Sequence, residues 1–208
     1  MTTIDGLGPG SGQEPGTESE FDIFRQLKER TADIHEQIED YLPFLRLDFD
    51  RENYVRLVER FYGFWVPVEA ALWQTKLLEN PNLDFAGRMK SSMLETDLRI
   101  LGREPTDVPL CENLPLTNTF PRCIGCLYVL EGSTLGAQII SKRLESHLGL
   151  TSASGAAFFN AYGGSVGQRW NEFRIFVTAQ TAPTDSEDIV MAARQTFMCF
   201  GEWLQRTT

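Results

Sequence analysis

The sequence predicts an all-α chain in which helices pack as a single-domain bundle. Apolar residues recur at helical spacing through most of the chain, and no segment shows the sustained alternation of a strand. Pro43, Gly102 and Gly149 stand at the ends of these periodic segments, where helices stop. With 208 residues, 42% of them hydrophobic, the chain is long enough for one well-packed domain.

Residues 1–19 (MTTIDGLGPGSGQEPGTES) are rich in Gly, Pro, Ser and Glu and offer little to bury, which predicts a disordered tail ahead of a folded domain over 20–208. Ser19 or a neighbour starts the first helix, in which Phe24, Leu27, Ile34, Ile38 and Leu42 share a face until Pro43 ends it. A second helix begins after Asp50 with a wide apolar stripe from Tyr54 to Leu72, and Pro67 within it predicts a kink or break. A third covers 84–101 and closes on Gly102. Residues 103–119 carry three prolines and read as an extended connection. A fourth helix runs from about Pro121 to Leu148, and helices near 154–178 and 185–206 complete the chain. The uncharged stretch 148–168 raises the question of a membrane span. Its five glycines and clustered apolar residues predict a turn followed by a buried helix instead.

A net charge of −10 and a pI near 4.7 argue against nucleic acid or an anionic membrane as the main partner, while leaving room for a small anionic ligand on a local cationic rim. The N-terminus lacks a basic start followed by an apolar run, so a cytoplasmic protein with four reduced cysteines (Cys111, Cys123, Cys126, Cys199) is expected.

Two features stand out against this background. In YVLEGSTLGAQ, residues 128–138, Gly132 and Gly136 sit four apart within a helix, each costing about 1 kcal/mol relative to alanine. A neighbouring helix could pack into the notch, a flat ligand could lie on the bare backbone, or the helix could bend there. The second feature is the pair Lys28 and His35 on the first helix. His35 falls beside the apolar stripe and is expected to face inward, where a satisfied core histidine is the plainest reading. Lys28 lies nearly two turns earlier on the same face, about 10 Å along the axis, where a cation calls for a reason.

Together, LKERTADIHEQIE (27–39) and YVLEGSTLGAQ resemble the proximal and distal helix signatures of the haem oxygenase family. The later FFNAYG (158–163) and WNEF (170–173) look like its bacterial, bacteriophytochrome-associated branch. The resemblance spans roughly Phe21 to Leu204. It implies that His35 is the axial ligand of the haem iron and Lys28 a propionate-binding cation, the two being spaced about as far apart as iron and propionate. It implies that Gly132 and Gly136 lie over the haem face, with Ser133 beside them in the distal catalytic region. Arg174, with Arg169 as second choice, corresponds to a further propionate partner, and Phe173 to a cofactor contact, with Phe158 and Phe159 as bulky neighbours. Two positions depart from the family pattern: Ser133 stands where animal enzymes have an aspartate, and Ala137 stands at the second glycine of the usual pair.

The reaction so implied uses haem as substrate and cofactor, with O₂ and an external electron donor (a ferredoxin, flavodoxin or reductase). It yields biliverdin, CO and Fe²⁺, and the bilin could pass to a phytochrome. A haem-binding carrier or sensor of the same fold is the alternative, and a thiaminase-like helical enzyme a third reading. The remaining features have plainer readings: Cys123-x-x-Cys126 as ordinary thiols, His147 as a surface or capping residue, and Glu131 as solvent-facing or paired, with orientation of distal water as its alternative.

Overall fold

A computed structural model describes residues 22–42 and 49–206. The described residues form six α-helices joined by short 3₁₀ turns, and none of them is in a strand: α1 (Ile23–Tyr41), α2 (Arg51–Thr75), α3 (Ser91–Ile100), α4 (Phe120–Leu148), α5 (Val166–Gln180) and α6 (Ser186–Leu204). The all-α expectation holds. The tail expected over 1–19 and the proline expected to end the first helix lie outside the described residues.

Helix α6 is the spine of the bundle. It packs along α4 on one side and α1 on the other, and it touches α2, which in turn carries α3. The contact with α4 is close because Gly125 has no side chain: a Cβ there would sit 2.2 Å from the Ile189 carbonyl and 2.8 Å from the Ala192 methyl. Phe61, Phe64 and Trp65 of α2 meet Phe200 of α6 and Phe158 in an aromatic core with ring centroids 4.9–5.7 Å apart. α4 is the one described helix whose length and hydropathy would allow it to cross a membrane, and 56% of its most apolar window is buried within the protein.

Several boundaries differ from expectation for identifiable reasons. α1 starts later than Ser19, because Asp22 is its N-cap and accepts from the Phe24 and Arg25 amides at 3.0 and 3.1 Å. α2 runs on through Pro67. Proline there leaves the Gly63 carbonyl, four residues earlier, without its helical donor. The Cys111 amide supplies one at 2.8 Å from the extended connection. Gly63 makes that approach possible, since a Cβ would lie 2.5 Å from the Pro109 carbonyl.

α3 begins at Ser91 rather than at residue 84. Glu69 of α2 caps it, accepting from the Lys90 and Ser91 amides at 2.8 and 3.0 Å. A buried carboxylate at this end satisfies orphan donors and opposes the helix dipole. The residues just before are drawn into a buried ionic cluster described below. α3 closes with Gly102 at φ +82°, as expected. α5 begins at Val166, not near 154, because Gly155, Tyr162 and Gly163 all have positive φ and break any helix there. That segment is pinned from α3 instead: Asp97, fully buried, accepts from the Ala157 and Phe158 amides at 2.8 and 2.9 Å. Burial pushes the Asp97 carboxyl above the usual carboxylate range, and the two amides offset part of that rise.

Candidate functional site

The N-terminal half of α1, the middle of α4 and the start of α5 meet around Phe24. Its ring lies 6.2 Å from Tyr128 of α4, 5.8 Å from Trp170 and 6.0 Å from Phe173 of α5. The Tyr128 hydroxyl also lies beside Thr31 of α1, whose own hydroxyl donates to the Leu27 carbonyl at 2.7 Å. The α1–α4 contact is thus fixed at Thr31 and Tyr128. One turn further along α1 is His35, and one turn further along α4 is Gly132, with Gly136 a turn beyond it.

Among the described residues, no helix packs tightly into the gap left by the two glycines. A Cβ on Gly132 would come no closer than 3.9 Å to Trp170, and one on Gly136 would meet nothing within 4 Å. The helix also remains continuous from Phe120 to Leu148. The tight helix–helix notch on α4 is Gly125 instead. What the glycines leave is a bare stretch of helix backbone, flanked by Leu135 at 42% and Ile139 at 71% exposure. Ser133 is half-buried, and its hydroxyl donates to the Leu130 carbonyl at 2.8 Å, so its lone pairs remain available as acceptors.

His35 does not face the core. Its side chain is 55% exposed, with Nδ1 3.5 Å from a Glu39 carboxylate oxygen and the ring edge-on to Phe197 of α6 at 5.6 Å. Ile34, on the apolar face as expected, is buried, and its neighbour His35 falls outside that face. An accessible imidazole is free to meet a ligand, as a core histidine would not be. Lys28 is exposed on the same helix and makes no ion pair among the described residues. Arg174 is also free of ion pairs there, and its guanidinium lies over the Phe24 ring at 5.3 Å, one α1 turn from Lys28. Arg169 is committed elsewhere, to Asp84 at 3.1 Å and Glu172 at 3.4 Å. Phe173, Phe158 and Phe159 are core residues, 0%, 4% and 3% exposed; Phe173 supports Phe24 and Trp170 from below rather than lining an open surface.

Glu131, next to Gly132, is paired rather than solvent-facing and centres a buried cluster. Glu131 is 1% exposed. One carboxylate oxygen meets Arg88 Nη1; the other accepts from Lys90 Nζ at 2.6 Å and from the Tyr162 hydroxyl at 2.9 Å. Arg88 also donates to the Leu83 and Arg169 carbonyls at 2.7 and 3.1 Å, and Glu172 stands 3.8 Å away. Burial and the Glu131 charge push the Tyr162 phenol well above its ordinary range. One signal pointed here: Glu131 is the one charged residue between Arg122 and Lys142.

The four free cysteines are all buried, and burial raises the Cys126 thiol to about 12 and the Cys199 thiol to about 11. No group of three or more metal-ligating side chains occurs among the described residues. His147 is exposed in the last turn of α4.

The family model described as heme oxygenase matches residues 22–206, and the chain belongs to that family. Solved structures that share the fold include three heme oxygenases. The heme oxygenase of Neisseria meningitidis, determined with NO and CO bound, is 21% identical, with a TM-score of 0.70 over 88% of this chain and 90% of its own. That of Leptospira interrogans is 19% identical, with a TM-score of 0.73 over 88% of this chain and 98% of its own. Heme oxygenase-1 of the cyanobacterium Synechocystis, in complex with heme, is 19% identical, with a TM-score of 0.70 over 88% and 91%. No curated protein matches the sequence significantly.

Proposed function

We propose that this chain is a haem oxygenase, cleaving haem with O₂ and reducing equivalents to biliverdin, CO and Fe²⁺, with residues 20–208 acting as one domain. The observation that carries this reading is Gly136, a glycine in mid-helix whose missing side chain makes room for no other part of the described protein. Family membership and the accessible His35 support it.

The residues suit the group. His35 offers a neutral imidazole to the iron, with the Glu39 carboxylate 3.5 Å from its Nδ1. Lys28 and Arg174, neither in an ion pair among the described residues, would hold the propionates, and with them the orientation of the ring. Gly132 and Gly136 allow the helix backbone close to the ring, and the Ser133 hydroxyl can accept from a water on that side. Bound haem supplies the iron that takes O₂ and the meso carbon that is oxidised. The protein's part is orientation and a fixed electrostatic environment around that face. An external protein supplies electrons, the protein acts in the cytoplasm, and the 158–163 and 170–173 motifs point to a bacteriophytochrome as the acceptor of the bilin.

Mixing the purified protein with haemin tests the proposal. The expected result is a Soret shift on binding, then loss of that band under reductant and O₂ with a bilin appearing, undiminished by catalase. No shift at all would overturn it, and a complex stable to reductant and O₂ would make the protein a carrier or sensor. His35→Ala should change the ferric spectrum and stop turnover; an unchanged spectrum and rate would rule out His35 as the ligand.

A further inference from the structure

We infer that Glu131 is a positioning residue that fixes the ligand-facing turn of α4 and sets its local charge, an inference that rests on the haem oxygenase reading. Gly132 and Gly136 deprive this part of α4 of packing on one face. The adjacent residue supplies what they cannot. Glu131 is held by Arg88 and Lys90 from the segment before α3, and by Tyr162 from the segment between α4 and α5. α4 is therefore gripped from two separate parts of the chain at the residue preceding the first glycine. Arg88 extends the grip to α5 through the Arg169 carbonyl.

Stability alone is a weak reason for such an arrangement, since a buried ion cluster seldom outperforms apolar side chains of similar volume. A cluster of this kind does provide a fixed orientation and a fixed field in a low-dielectric surrounding. Arg88 and Lys90 place two positive charges against the Glu131 carboxylate, with Glu172 at the edge, so removing a charge of either sign unbalances the field beside Gly132.

The ionisation of water on the iron in the ferric haem complex, followed as a pH-dependent optical change, reads that field without requiring turnover. Glu131→Gln leaves the cations in excess and should lower the transition; Lys90→Met leaves the carboxylate in excess and should raise it. Each shift is expected on the order of one pH unit, as for one buried charge acting at an effective dielectric of about 20. Opposite shifts are what distinguish positioning and charge from scaffolding, since general loosening would move both variants alike. Transitions that stay put, or move together, while the wild-type complex forms normally would overturn the inference. If the wild type itself gives no haem complex, it is the underlying haem oxygenase reading that fails, and this inference goes with it. Should Glu131→Gln not fold, Tyr162→Phe keeps the ring and removes one hydrogen bond from the carboxylate. It should then raise the transition by a fraction of a unit; no rise would overturn the inference.

Discussion

Glycine in mid-helix costs about 1 kcal/mol relative to alanine, and most proteins accept that only where backbone must come close to something. On α4 the three glycines separate cleanly by this criterion. Gly125 is needed by the fold, while Gly136 has no structural neighbour that an added methyl would touch. Gly136→Ala should therefore stabilise the haem-free protein by about 1 kcal/mol in urea unfolding while weakening haemin binding. A gain in stability with unchanged affinity would separate Gly136 from the ligand face. The sequence made the spacing of these glycines visible but not what faced them. His35 shows the same limit: it sits about 100° around the helix from Ile34, at the edge of the apolar stripe, and packing against α6 decided that Ile34 and not His35 is buried.

At the scale of elements, helix interiors were readable and helix starts were not. The apolar stripes of α1, α2 and α4 came from local periodicity, but the start of α3 depends on Glu69, a residue more than twenty positions away. Pro67 likewise reads as a break until Cys111 is seen to satisfy the carbonyl it orphans. The buried cluster at Glu131 joins three segments and could only be hinted at by a lone charge in an apolar helix. The α4–α6 seam is the element-level contact most exposed to test. Gly125→Val drives atoms into the Ile189 carbonyl, which is backbone and cannot rotate away. Overpacking of this kind costs about 1–3 kcal/mol or more, so the urea midpoint should fall well below that of the Gly136→Ala protein. Equal stability would mean the seam is looser than this geometry.

Across the whole molecule, α1 is held to α6 at its solvent edge by Arg194, which forks onto both Asp33 oxygens. The guanidinium holds the Asp33 carboxyl down at about 2. A carboxyl lowered on folding binds its proton less tightly in the folded chain, so its contribution is complete above the unfolded value of about 4. It is then lost as pH falls toward about 2. Asp33→Asn should flatten the fall of the urea midpoint between those limits; an identical acid limb would show that the pair does not act in solution. A different consequence follows from the hydrogen bond between Cys111 and the Gly63 carbonyl. Its donor lies outside any helix, in the connection between α3 and α4, yet the amide faces α2 where Trp203 of α6 also packs. Freeing that proton requires the bundle to part rather than a loop to flicker. In deuterium exchange the Cys111 amide should therefore keep pace with the slowest helix amides, and the connection should open only when the molecule does. By this measure the stretch that looks most like a linker is part of the cooperative core.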